Sequence, residues 1–187
     1  MSSGLEERVA AVLAPLRAAG ERGYIGEPVS QQEHALQCAF LARRGRASGA
    51  EVLAALLHDV GHLVAADDAP QMAGLGVLEH EHIGAEFLAQ HGVARAICEL
   101  VRSHVAAKRY LSRRKAGYYA ALSEASRGTL AFQGGPMSDA EACSFEADAA
   151  FSSKLRLRMW DEAAKRPDLD VPGIDAYRAL LREHMER

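Results

Sequence analysis

Apolar residues recur at helical spacing from Leu5 through Val9, Val12, Leu13 and Leu16, which predicts an amphipathic first helix ending at Gly20. The polar, glycine-bearing segment ERGYIGEPVS interrupts the pattern. Ser30 followed by Glu33 has the form of a capping box and opens a second helix to about Arg44; Ser48 with Glu51 opens a third, ending near Asp59 with Gly61 as its stop. Beyond the loose stretch DDAPQMAGLG, the spacing of Ile83, Phe87 and Leu88, then of Ile97, Leu100 and Val101, predicts two helices split at Gly92. Further helical stretches follow over 108–123, from the Ser138–Glu141 box to about Phe151, over 153–165, and from about Asp175 to Glu186 after Pro172-Gly173, with the loop FQGGPMSD between the first two. No repeat, low-complexity tract or long linker divides the chain, so residues 1–187 are read as a single domain.

Composition strengthens the all-α reading. Ala and Leu number 36 and 21, whereas the strand-favouring Val, Ile and Thr number 11, 4 and 1. The net charge of −3 gives no global attraction to nucleic acid or anionic lipid. The basic group Lys108, Arg109, Arg113, Arg114 and Lys115 has only Tyr110 as an interleaved aromatic, so neither a nucleic-acid nor a membrane partner is expected. No apolar run approaches the roughly 20 residues of a membrane helix. Cys38, Cys98 and Cys143 lack C-x-x-C spacing and read as buried thiols of a reducing cytosol; with no leader sequence evident at the N-terminus, a cytoplasmic location is expected.

The chemistry lies in the histidines. His58 ends an apolar helix with Asp59 directly after it, and a carboxylate in a last helical turn opposes the dipole and calls for a compensating cation. His34 precedes His58 by 24 residues, about 36 Å along one straight helix, so the two meet only if their helices fold back as a hairpin, which the short GRAS loop permits. His80 and His104 repeat the 24-residue spacing across Gly92. Two such hairpins with Asp59 between them could nest two metal ions. His62 has the i, i+4 relation to His58 of zinc proteases but lacks their Glu and is placed beside the site; His80 and His82 are alternatives, because they point to different sides of a helix. His91 and His184 read as solvent-exposed. Asp148, Asp161 and Asp168 are open candidates for a further carboxylate ligand.

The order His34, His58-Asp59, His80, His104 and a late Asp resembles HD-domain metalloproteins. Together with YIGEPVSQQEHALQ, AALLHDVGH, EHEHIGAEFL, SHVAAKRYL, LSEAS, TLAFQGGPMS and RMWDEAAK, it is similar to the PhnZ-like branch, HD-domain mixed-valent diiron oxygenases that cleave carbon–phosphorus bonds; the likeness runs from about Tyr24 to Lys165. The resemblance implies an HD-domain helical bundle with one iron held by His34, His58, Asp59 and Asp161, and the other by Asp59 as bridge with His80 and His104. It selects His80 over His82 and Asp161 over its rivals. It further implies Lys108, Ser126, Gln133 and His62 as contacts to a phosphonate, Ser126 and Gln133 lying in the loop region before Gly134-Gly135, and Tyr24 and Glu27 as a gate whose carboxylate meets the substrate's ammonium group. Cofactors on this reading are two iron ions, iron(II) and iron(III), with dioxygen as co-substrate. The substrate is a 1-hydroxy-2-(ammonio or trimethylammonio)ethylphosphonate, primary amine and trimethylammonium remaining open. The same ligands would also suit a metal-dependent HD phosphohydrolase or, if degenerate, a regulatory module.

Overall fold

A computed structural model describes residues 2–20, 23–24 and 26–185. Among these there are eleven α-helices, one 3-10 turn and no strand, only three isolated bridges. Helix α1 (Ser2–Ala19) places Val9, Val12, Leu13 and Leu16 in the core, the face expected from their spacing. Helices α2 (Gln31–Arg44) and α3 (Gly49–Leu57) form the first hairpin, and both begin with the anticipated capping boxes: the Ser30 hydroxyl accepts from the Glu33 N–H at 3.1 Å and the Glu33 carboxylate accepts from the Ser30 N–H at 2.6 Å, with Ser48 and Glu51 repeating the arrangement. Each box satisfies amide donors that the helix itself leaves unpaired.

Gly61 does not stop a helix. α3 ends at Leu57, a turn carries His58, Asp59 and Val60, and Gly61 begins the short α4 (Gly61–Val64). Its glycine is required by packing: a Cβ there would lie 1.9 Å from the carbonyl oxygen of His80 and 2.9 Å from the amide nitrogen of Gly84, so α4 and α5 (His80–Gln90) meet backbone to backbone. Gly61→Ala is expected to destabilise the fold by roughly 3 kcal/mol in denaturant titration, because neither backbone neighbour can rotate away; an unchanged midpoint would show that the two helices can part without loss.

Helix α6 (Arg95–Arg114) runs unbroken through position 108, where two separate elements were expected, because nothing between Val101 and Arg114 is a Gly or Pro; it closes before Gly117, whose φ is +76°. α7 (Tyr118–Ala121) and α8 (Glu124–Phe132) follow, the latter capped by Ser123. Helix α9 (Asp139–Glu146) starts at the Ser138 box but stops short of Phe151, and the Asp148 carboxylate accepts from the Ala150 N–H at 2.7 Å ahead of α10 (Phe151–Ala163). The final element is a 3-10 turn, Ile174–Tyr177, leading into α11 (Arg178–Glu183); the expected end at Glu186 lies outside the described residues.

The α2–α3 hairpin packs against α6 and α10, and α5 packs along α6. One apolar cluster joins α1, α2, α3, α5, α6 and the C-terminal segment, with Leu53, Leu57, Leu88, Ile97 and Tyr177 fully enclosed. The Ala-rich sequence lets these helices approach closely enough for short side chains to span between them. No described helix is long and apolar enough to cross a membrane. Cys38 and Cys98 are buried, but Cys143 is exposed, since α9 packs through Ala142 and Phe145 and turns its neighbour outward.

Candidate metal centre and its cavity

His34 on α2, His58 at the end of α3, His80 at the start of α5 and His104 in α6 converge in the core, each almost fully buried. Two sets form. In the first, His34 Nε2 lies 3.2 Å from His58 Nε2, 3.4 Å from Asp161 Oδ1 and 3.8 Å from Asp59 Oδ2. In the second, His80 Nε2 and His104 Nε2 are 3.0 Å apart and each is 3.4 Å from Asp59 Oδ1. The two oxygens of Asp59 thus face different sets. Separations of 3–4 Å between ligand atoms are those of groups around a common first-row metal at about 2.1 Å from each.

All four imidazoles are oriented alike. Each Nδ1 faces a backbone carbonyl: Ala164 at 2.8 Å for His34, Ala55 at 2.9 Å for His58, Val77 at 3.2 Å for His80 and Val101 at 2.8 Å for His104. A proton held on Nδ1 leaves the Nε2 lone pair free for a cation. For His58, His80 and His104 the acceptor is the carbonyl three residues back, so the local backbone aims the ring. The chain enters α5 through Glu79 in the left-handed region, φ 59°, a conformation costing about 1 kcal/mol that sets where His80 begins its helix.

Electrostatically the centre favours positive charge. Burial opposes ionisation of Asp59, yet His58 and hydrogen bonding from His104 and His80 hold it well below the usual carboxylate range. Burial likewise opposes Asp161, and Arg158, with Nη1 2.5 Å from Asp161 Oδ2, overrides it, leaving Oδ1 turned to the imidazoles. Burial would lower His58, but Asp59 and Asp161 push it up to about 9, so in the absence of another cation a proton is retained there. Cys38 Sγ stands 3.7 Å from His34 Nε2 and could offer a sulfur to the first set; burial and the two carboxylates push its thiol well up, and Asp161 Oδ1 is the nearer and already ionised donor.

A cavity of about 60 Å³ opens onto the second set, lined by Asp59, His62, His80, His104 and Asp161 and by the other residues singled out as substrate or gate contacts: Tyr24, Glu27, Lys108, Ser126 and Gln133. The Tyr24 ring stacks on His34 at 4.2 Å and its hydroxyl donates to Asp59 Oδ2 at 2.8 Å. His62 stacks on His80 at 3.9 Å and accepts the Val77 N–H; burial and the neighbouring His80 lower it to about 3. Ser126 lies on α8 and Gln133 is its C-cap, so neither belongs to a free loop as expected; the helix is short and carries Gly128 in its middle, which weakened its signal in the sequence.

Three further cavity residues lie in the quoted stretches TLAFQGGPMS and RMWDEAAK but had no role assigned to them from sequence. Arg158 on α10 is buried, with Nη2 making no hydrogen bond among the described residues. Thr129, the chain's single threonine and the first residue of TLAFQGGPMS, accepts from Lys108 Nζ at 2.8 Å. Lys165 pairs with Glu27. By contrast Arg109, Arg113 and Arg114 turn outward and pair with Glu141, Asp139 and Glu146, so Lys108 is the inward member of its basic group. His82 is exposed, and Asp148 and Asp168 are remote on the surface. His91 and His184 are half-buried rather than exposed, because their Nδ1 atoms bond to Phe87 and Leu180 carbonyls within their own helices.

The HD-domain family model matches residues 32–149. The chain belongs to the HD-domain family. Among its relatives, a hydroxymethylphosphonate dioxygenase of Gimesia maris is 38% identical over 96% of this chain and 89% of its own length. A [1-hydroxy-2-(trimethylamino)ethyl]phosphonate dioxygenase of Leisingera caerulea is 40% identical over 90% and 85%. An uncharacterized protein of Acanthamoeba polyphaga mimivirus is 38% identical over 89% and 76%. Within the HD-domain family the chain therefore groups with the PhnZ-like oxygenases, and it is an oxygen-using oxidoreductase.

Proposed function

We propose that residues 1–187 act as one HD domain that binds two irons and cleaves the carbon–phosphorus bond of a 1-hydroxy-2-(ammonio or trimethylammonio)ethylphosphonate, releasing phosphate and glycine or glycine betaine. The observation that carries this is Asp59, whose two oxygens face separate imidazole sets at the floor of a cavity walled by buried Lys108 and Arg158. On this reading His34, His58, Asp59 and Asp161 would hold one iron and Asp59, His80 and His104 the other, a nitrogen- and oxygen-rich set suited to iron with a carboxylate cutting the repulsion between the ions. When bound, the irons supply one-electron chemistry and open positions for dioxygen and substrate oxygens.

The chain's own residues do the binding and orienting. Lys108 and Nη2 of Arg158 meet the phosphonate's charge, and Ser126, Gln133 and His62 contribute polar contacts around it. Thr129 fixes where the Lys108 ammonium sits. Glu27 faces the substrate's cationic tail. Tyr24, bonded to Asp59 and stacked on His34, covers the centre and must leave before substrate oxygens reach it, which keeps dioxygen from reacting early. One dioxygen balances the conversion of the 1-hydroxy-2-aminoethylphosphonate to glycine and phosphate, so no further reductant is needed. The names of the two dioxygenase relatives support the same reaction class.

Phosphate release by the iron-loaded protein tests the proposal. It is expected to require dioxygen and to stop under argon. Release that persists without dioxygen would identify a hydrolase using the same ligands and end the oxygenase reading.

A further inference from the structure

Glu27 is already occupied by a cation that belongs to the protein. Its carboxylate accepts from Lys165 Nζ and, at 2.7 Å, from the Ser123 hydroxyl; both charged side chains are largely buried, at 8% and 15% exposure. Lys165 Nζ also lies 3.4 Å from the hydroxyls of Ser123 and Ser126 and 6.0 Å from the centroid of the Tyr24 ring. It thus reaches Glu27, the covering tyrosine and the α8 wall at once. The loop it holds is tightly seated: Tyr24 N–H donates to Val29 O, Glu27 N–H donates to Tyr24 O, and Gly26, φ +71°, presses on α8 so closely that a Cβ would lie 2.9 Å from Ala125 Cβ.

We propose that Lys165 is the latch of this loop and the residue that sets selectivity for the substrate's tail. While the cavity is free, its ammonium neutralises Glu27 and holds Tyr24 over Asp59. A cationic tail must take the carboxylate over from Lys165, so binding is an exchange of one cation for another, and the released loop carries Tyr24 away. Hydroxymethylphosphonate has a hydrogen where the tail would be, brings no charge to the exchange and leaves the latch closed more of the time. Lys165 follows Ala164, whose carbonyl orients His34, so the latch and the metal centre share one anchor at the end of α10. The inference rests on the phosphonate reading for its substrates and on the ion pair alone for the latch.

Two measurements on the iron-loaded protein test it, both made under argon so that nothing turns over. Without substrate, amide hydrogen exchange over residues 23–30 is expected to accelerate on the order of tenfold in Lys165→Met and to stay near wild type in Lys165→Arg. In calorimetry, 2-amino-1-hydroxyethylphosphonate is expected to gain affinity over hydroxymethylphosphonate by about tenfold in Lys165→Met, because Glu27 then has no competing cation. Unchanged exchange overturns the latch, and an unchanged affinity ratio overturns its role in selectivity. Faster exchange in a protein that binds neither phosphonate would sink the substrate reading and leave the latch standing.

Discussion

Asp59→Ala is expected to leave the chain folded but without either iron, total iron falling below roughly a tenth of wild type by elemental analysis. The expectation follows from how one side chain is shared. Oδ2 lies 3.4 Å from His58 Nε2 and 3.8 Å from His34 Nε2, while Oδ1 lies 3.4 Å from both His80 and His104, so removing the carboxylate takes a donor from both sets and leaves Asp161 as the nearest compensating anion. Two metal cations held close without a bridging charge repel each other strongly in a buried site. Asp59→Asn keeps the shape but not the charge and is expected to fail equally. His104→Ala, which removes a candidate ligand from the second set only, should spare more iron than either. Full occupancy in Asp59→Ala, with an unchanged far-ultraviolet circular dichroism spectrum, would contradict the bridging role.

How much of this was legible in the sequence depended on whether a signal was local. Capping boxes are: Ser30, Ser48 and Ser138 each marked a helix start that the structure contains, because two residues three positions apart satisfy each other's amide donors wherever the fold places them. The paired 24-residue spacings brought His34 to His58 and His80 to His104, since short turns force antiparallel neighbours. Helix ends without strong breakers were less readable, as the unbroken α6 shows. Least readable were contacts made across the fold. Arg158 opens the RMWDEAAK stretch, but in a helix rich in cations nothing local gave it a role, and only its burial beside Asp161 supplies one. Lys165 lies 138 positions from Glu27, and no periodicity reports such a pair. Asp161 itself was indistinguishable from Asp148 and Asp168 until family likeness or packing separated a buried carboxylate from two surface ones.

Lys108 carries the clearest pH dependence. It is buried in the cavity wall, and burial, reinforced by the nearby positive charge of Arg158, lowers its ammonium to about 7, with Asp161, Asp59 and Glu81 acting against the fall. The charged form is the protonated one, so the free enzyme holds the cation below pH 7 and loses it above. Phosphonate binding that uses this charge weakens as pH rises, and kcat/KM, which reports the free enzyme, is expected to fall with a limb at or below pH 7, because bound irons add positive charge beside the ammonium. In the complex the substrate's negative charge favours the ammonium, so the limb in kcat should move to higher pH. Lys108→Arg keeps a cation that does not titrate and is expected to remove the limb, so any slope that survives in that variant belongs to the substrate's own ionisation. Lys108→Ala should raise KM on the order of 100-fold with iron content unchanged, because it deletes one partner of a buried charge pair while leaving every metal-facing group in place. An unaltered KM in Lys108→Ala would take Lys108 out of substrate binding and leave Arg158 as the cavity's buried cation for the phosphonate.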